Sequence, residues 1–331
     1  MADAVPARGA ADPAGATWSV LNGPTEHLSD LAYTEKHQDL LYIAQARPPR
    51  LFRSTDGVRW QPLADIPATT RLITGITSNG TDLFVVIQPE SPVPGHDVPY
   101  ELYYWNEPSL SLLPVPQQYR SPVVQVYCKA VATSRKVHFF GGINGENAES
   151  RIVTEYDLRT HIWSSSPQYN LTQLPVRARC LQAIRSGEHI VLMGGFQPAA
   201  DRYGSVAVDR TLVFFLDPVT HERKWLQDRP QHGLPCIRRR AAVCLSDGGG
   251  CLIEVGGERG DASVDDCAAY HLNMLGVRAA DPVALPRLPT LTRSASLVAF
   301  RGTLYAVGGM VEEWGNWKVS IYTLPISQFG I

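Results

Sequence analysis

The chain has 331 residues, 44% of them hydrophobic and 19% charged, with 27 glycines, 25 prolines and a formal net charge of −2. Such a composition builds a folded, turn-rich protein with ample apolar surface and excludes disorder over most of the length. Nucleic acid and anionic membranes are met by a basic excess, so neither is expected as a partner, and no apolar run is long enough to span a bilayer.

In chain order, residues 1–16 (MADAVPARGAADPAGA) lack the apolar segment of a secretory signal. They are expected to form a disordered tail, and the protein is expected to be cytoplasmic. Trp18-Ser19-Val20-Leu21 then reads as a short strand standing ahead of six repeated units. In the first unit Leu40-Leu41-Tyr42-Ile43-Ala44-Gln45 leads through an Asp56-Gly57 turn to Trp60. In the second, Leu83-Phe84-Val85-Val86-Ile87-Gln88 leads to Tyr103-Tyr104-Trp105 and to Leu112, which stands where the first unit has its Trp. From the third unit on, the apolar run ends in a glycine pair. Val137 to Gly142 leads to Tyr156-Asp157 and Trp163, and Ile190 to Gly195 leads to Leu216-Asp217 and Trp225. Leu252 to Gly257 leads to Tyr270-His271, with Val277 at the Trp position, and Leu304 to Gly309 leads to Ile321-Tyr322.

The first glycines of these pairs, at 141, 194, 256 and 308, are spaced by about 52 to 62 residues, the period of a propeller or similar array. Each unit reads as four short strands joined by Gly- and Asn-containing turns, and no segment carries a sustained 3.6-residue apolar period, so helices should be scarce. In the first two units, loss of the glycines is expected if small residues there serve only close packing near a crowded axis. The sixth unit stops after its third strand, and residues near 17 to 21 resemble the missing fourth. The fold expected is therefore all-β: a six-bladed β-propeller of four-stranded antiparallel blades over residues 17–331. Its ring would be closed by the N-terminal strand beside 319 to 323, leaving no long sheet edge exposed.

The glycine pair after the second strand, the aromatic-Asp at the end of the third and the Trp on the fourth resemble the kelch-repeat family across about residues 17 to 325. Tyr156, Trp60, Trp163 and Trp225 are expected to pack between blades and to define the fold without naming a function.

Function must then come from loops. In a four-stranded up-and-down blade, the loops joining the fourth strand to the next first strand emerge on the same face as those joining second to third. Arg71, Arg120, Arg179, Arg240 and Arg293 stand at these crossings, with Arg177, Arg238 and Arg239 close by. Guanidinium groups converging on one rim suit carboxylates. In kelch adaptors of ubiquitin ligases, Arg at this position contacts an acidic peptide, and the resemblance implies a comparable role here. The alternative is that these arginines bond backbone carbonyls or neighbouring loop acids. Such acids are plentiful (Glu146, Asp201, Glu258, Asp265, Asp266, Glu312 among them), so a mouth of mixed charge is expected. The same loops carry Tyr100, Phe196, Tyr203, Trp314 and Trp317, residue types that dominate protein interfaces. Tyr203, Trp314 and Trp317 join the arginines as expected partner-binding residues.

The six cysteines have no paired metal-ligand spacing and read as buried free thiols. The nine histidines are scattered, so no metal and no other cofactor is expected. Ser54 to Trp60 looks like a shortened sialidase Asp-box but occurs once, as a hairpin turn would. No effector domain is expected in the 16 leading residues. The expected role is thus a non-enzymatic protein-interaction module, an adaptor or scaffold subunit of a larger assembly, binding an acidic segment on the Arg-rimmed face. A structural component docking by its blade edges and a sugar-processing enzyme of mutarotase or sialidase type are the alternatives.

Overall fold

The structure is a computed structural model. It describes residues 16–331 except 22–31, 64–65, 93–97, 144–149, 166–173, 175–176, 178–180, 187–188, 199–204, 208–211, 217–222, 227–240, 260–261, 272–281, 291 and 312–319.

The described residues form four-stranded antiparallel sheets in chain order, arranged as the blades of a β-propeller. The first comprises Ala32–His37, Leu40–Gln45, Arg50–Ser54 and Gln61–Leu63; the second Thr70–Ser78, Leu83–Pro89, Glu101–Asn106 and Ser111–Pro114. The third comprises Lys129–Ala132, Lys136–Phe140, Val153–Asp157 and Trp163–Ser165; the fourth Gln182–Ser186, His189–Met193, Leu212–Leu216 and Arg223–Leu226. The fifth comprises Ala242–Leu245, Cys251–Val255, Cys267–His271 and Val283–Leu285. The sixth comprises Ser296–Phe300, Thr303–Val307 and Ile321–Pro325, and its outer strand is Ser19–Leu21, from the other end of the chain. The pairing there is Ser19 with Thr323, Val20 with Tyr322 and Leu21 with Ile321. One 3-10 turn, Ser327–Phe329, is the helical element among the described residues.

Why these runs are continuously apolar follows from where they sit. A blade's second strand is covered on both faces by neighbouring blades, so alternation gives way to a run buried throughout, as in Leu83–Pro89. Its odd residues Leu83, Val85 and Ile87 pack with Tyr42 and Leu51 of the first sheet. Its even residues Phe84 and Val86 pack with Phe139 and Tyr156 of the third. The core is accordingly divided into wedges between consecutive sheets. One wedge joins the sixth sheet to the first through Phe300, Tyr305 and Ile321 against Leu41, Ile43 and Phe52, with Trp60 at its border. The innermost strands touch in the order Ala32–His37, Thr70–Ser78, Lys129–Ala132, Gln182–Ser186, Ala242–Leu245, Ser296–Phe300 and then Ala32–His37 again.

Three readings of the sequence change. Ala16, assigned to the tail, is buried in the wedge between the fifth and sixth sheets, beside Trp18. Val277 lies outside the described residues, and the fourth strand of the fifth sheet is Val283–Leu285, farther along than the repeat suggested. The glycine pairs serve backbone conformation as well as packing: Gly141 and Gly142 have φ of 64° and 96°, and the pairs at 194, 256 and 308 repeat this left-handed geometry. In the first two sheets the second strand runs straight on to Gln45 and Pro89, and no left-handed residue is needed.

The Asp-box-like segment is a hairpin turn. Asp56 Oδ1 accepts the backbone N–H groups of Val58 and Arg59, both at 2.8 Å, and Ser54 Oγ accepts that of Gly57 at 2.8 Å. The backbone N–H groups of Arg59 and Val58 hold the Asp56 carboxyl below the usual carboxylate range. Among the described cysteines, Cys244, Cys251 and Cys267 are buried, Cys128 is half-buried, and none of the four is in a disulfide.

Candidate interaction site at the channel mouth

The innermost strands line two cavities, together called the channel. The cavity on the face expected from connectivity measures about 480 Å³. It is bordered by second-to-third loops, at Arg47, and by crossings into first strands, at Arg71, Tyr127 and Ser294.

Arg71 is placed there by a backbone irregularity. Thr70 pairs with Pro89 and Leu72 with Gln88, so Arg71 has no cross-strand partner and forms a bulge, which re-aims a side chain off the plane of its sheet. Arg71 is exposed at the cavity wall. Tyr127 stands on the same mouth at 59% exposure with φ of 58°, a strained conformation for a bulky residue. It is held by the segment around it: Val126 and Ile143 exchange backbone hydrogen bonds of 2.9 and 2.7 Å. Gly142 makes this possible, because a Cβ there would lie 2.5 Å from Val126 O and 3.0 Å from Cys128 N.

Arg120 has a different place. Its Nε donates to Glu101 Oε1 at 2.8 Å, its guanidinium lies 5.6 Å from the Tyr119 ring centroid, and it does not border the cavity. Glu101 is buried and also accepts from Tyr103 Oη at 3.0 Å. Arg120 thus neutralises a carboxylate beside its own sheet, as in the alternative stated from the sequence. Arg293 lies in the short strand Thr292–Arg293, paired with Met310–Val311, and only its backbone is described. Arg179, Arg240, Tyr203, Trp314 and Trp317 lie outside the described residues, as do Arg238 and Arg239. Arg177 is exposed. Tyr100, read as a loop aromatic, is buried, stacked on Phe139 with centroids 4.6 Å apart. Its place between the second and third sheets explains this: the loop after residue 97 dives back into the core. The mixing of charge is visible at the fifth sheet, where Arg287 reaches Asp265 at 3.4 Å and Asp266 at 3.5 Å.

Between the two cavities lies the waist of the channel. Lys129 and Gln182 border both this cavity and a second one of about 340 Å³ toward the opposite face, which Glu35 also lines. These side chains were missed from the sequence, although each stands in a first strand; charged residues in an innermost strand signal a channel-facing position. Burial pushes the Glu35 carboxyl up to about 7, countered in part by the Lys129 ammonium and by backbone N–H groups of Lys36 and Ser78. Burial likewise pushes Lys129 below the usual lysine range, countered by Glu35. At the far end Lys36 Nζ meets Asp247 Oδ1 at 2.9 Å, and Asp247 Oδ2 accepts from Gly302 N at 2.6 Å, tying three blades together.

The raised Glu35 carboxyl predicts a pH dependence. Because its folded pKa is above its ordinary 4.5, ionisation costs stability, with no cost below pH 4.5, a growing cost up to about 7 and the full cost above. Glu35→Gln removes it. After allowance for channel water and for the carboxylate lost to Lys129, the variant should gain about 1–2 kcal/mol at pH 8 and nothing at pH 4.5. Urea unfolding of both proteins at the two pH values measures this; equal gains at both would refute the assignment to ionisation.

No protein family and no curated protein sequence matches the chain. Among solved structures, "Structure of YjhT" is similar, with a TM-score of 0.67 over 92% of this chain and 97% of that one at 13% identity. At that identity the likeness concerns the fold alone. It agrees with the propeller arrangement of the sheets.

Proposed function

We propose that this chain is a kelch-type propeller of six blades, its ring closed by the N-terminal strand, and that it works as a protein-interaction module that takes an acidic segment of a partner at the channel mouth. The observation that carries the reading is the exposed Arg71, set on a bulge at the wall of an open cavity with Arg47 and the exposed Tyr127 on the same mouth. A guanidinium fork offers paired donors to carboxylates, and a Tyr ring supplies contact area at small entropic cost. Closure is supported by the wedge between the sixth and first sheets and by the cyclic order of inner strands. The free thiols suit a reducing compartment, so we place the protein in the cytoplasm, as an adaptor or scaffold subunit.

The test is binding of a fluorescein-labelled poly-glutamate peptide by fluorescence anisotropy, with poly-lysine as control. Wild type should bind the acidic peptide alone. Arg71→Ala should weaken binding about tenfold, the ~1.5 kcal/mol of one charge-assisted hydrogen bond, with a shallower salt dependence. Equal binding by wild type and variant would move the docking site to the blade edges. Turnover of a reducing sugar or a sialoside by the pure protein would replace the reading with an enzymatic one.

A further inference from the structure

The channel waist presents complementary charges that the protein leaves apart. Glu35, on the first strand of the first sheet, and Lys129, on that of the third, influence one another electrostatically, yet no ion pair joins them among the described residues. Glu35 takes a backbone N–H from Lys36 at 3.2 Å and is met by that of Ser78, and its two oxygens keep spare acceptor capacity. The Lys129 ammonium has no hydrogen-bond partner among the described residues, nor has the Gln182 side-chain amide beside it. Polar groups drawn out of bulk water are costly when left unsatisfied, and burial shifts both charged groups toward their neutral forms. Around them the surface is otherwise undemanding: Thr34 Oγ1 and Ser296 Oγ already bond one another at 2.9 Å, and Thr77 Oγ1 accepts the Ala132 N–H at 2.9 Å.

The carboxylate, the ammonium and the amide border one cavity of about 340 Å³, within the size range of small-molecule sites. A ligand satisfying them must carry both a cation and an anion and be neutral overall. We infer that the waist of the channel binds a small zwitterion of the α-amino acid class, its ammonium on Glu35, its carboxylate on Lys129, with Gln182 bonding the carboxylate. Of the other charged groups that line this cavity, Lys36 and Asp247 are engaged with one another at the far end and Arg185 donates to Ala132 O at 3.5 Å, while Arg71 stands at the opposite mouth. The site lies below the surface assigned to the partner and stands independently of it.

The experiment is isothermal titration calorimetry of the full chain with glycine, L-alanine, L-leucine and L-glutamate, beside propionate and L-alaninamide, which each lack one of the charges. At least one amino acid should bind, and L-alanine should bind at least tenfold more tightly than either analogue. Glu35→Gln and Lys129→Met should each lose tenfold or more, whereas Arg71→Ala should bind as wild type does, even where it has lost the acidic peptide. Lowering the pH from 7 to 5 should weaken binding, because the ligand ammonium needs Glu35 ionised. Silence from all four amino acids at millimolar concentration, or equal affinity for L-alanine and the analogues, overturns the inference. Both readouts use wild type, so misfolding of a variant does not remove the test.

Discussion

Replacing Trp18 by alanine should lower stability by about 3–5 kcal/mol, the range for truncating a buried aromatic. Trp18 is 7% exposed and packs in the wedge between the fifth and sixth sheets with Leu285, Leu288 and Tyr322. Its indole Nε1 donates to Pro286 O at 2.8 Å, a contact across 268 residues of chain. The loss therefore has two parts, a cavity among apolar side chains and a backbone carbonyl without its donor. Phenylalanine separates them, since Trp18→Phe keeps most of the packing and should cost only the hydrogen bond and a smaller cavity, about 1–2 kcal/mol. Urea denaturation of wild type and both variants gives the two values. The strand that follows, Ser19–Leu21, is short and largely exposed, and its three pairings alone could not hold it in place. Trp18 is the anchor that sets the strand's register. An unchanged midpoint for Trp18→Ala would mean that the N-terminal strand does not complete the sixth sheet.

Gly142→Ala should cost about 3 kcal/mol or more, because two penalties coincide there. Its φ of 96° lies outside the region that an L side chain adopts comfortably, and the new methyl would meet backbone at Val126 O and Cys128 N. Backbone does not yield as the end of a flexible side chain does. The displaced segment carries Tyr127, so the substitution should also weaken acidic-peptide binding at the mouth. A control is Gly80→Ala, where φ is 93° but nothing lies within 4 Å of the added methyl. It should show the conformational penalty alone, about 1 kcal/mol. Thermal unfolding of the two variants, with peptide anisotropy on each, checks both statements. Equal losses at both positions would show that the close approach of the 126–128 segment carries no energy.

A repeating grammar of apolar run, glycine pair and aromatic is legible in the sequence because every blade poses the same two demands: a strand covered on both faces, and a left-handed exit from it. Val137–Phe140 followed by Gly141-Gly142 states both in six residues, and the N-terminal Trp18-Ser19-Val20-Leu21 can be matched to the last unit by the same reasoning. Connectivity alone dictates which loops share a side, and Arg71 lines a cavity bordered by such loops. What the sequence could not decide was which Arg reaches the opening. Arg71 and Arg120 occupy equivalent positions in the repeat, yet a bulge turns one to the cavity while a buried Glu101 draws the other aside. Nor does the chain order announce that Glu35 and Lys129, 94 positions apart, look into one channel. Local pattern fixes strands because burial acts residue by residue, whereas a site depends on which charges a closed packing brings within reach of each other, and that distance belongs to the tertiary structure alone.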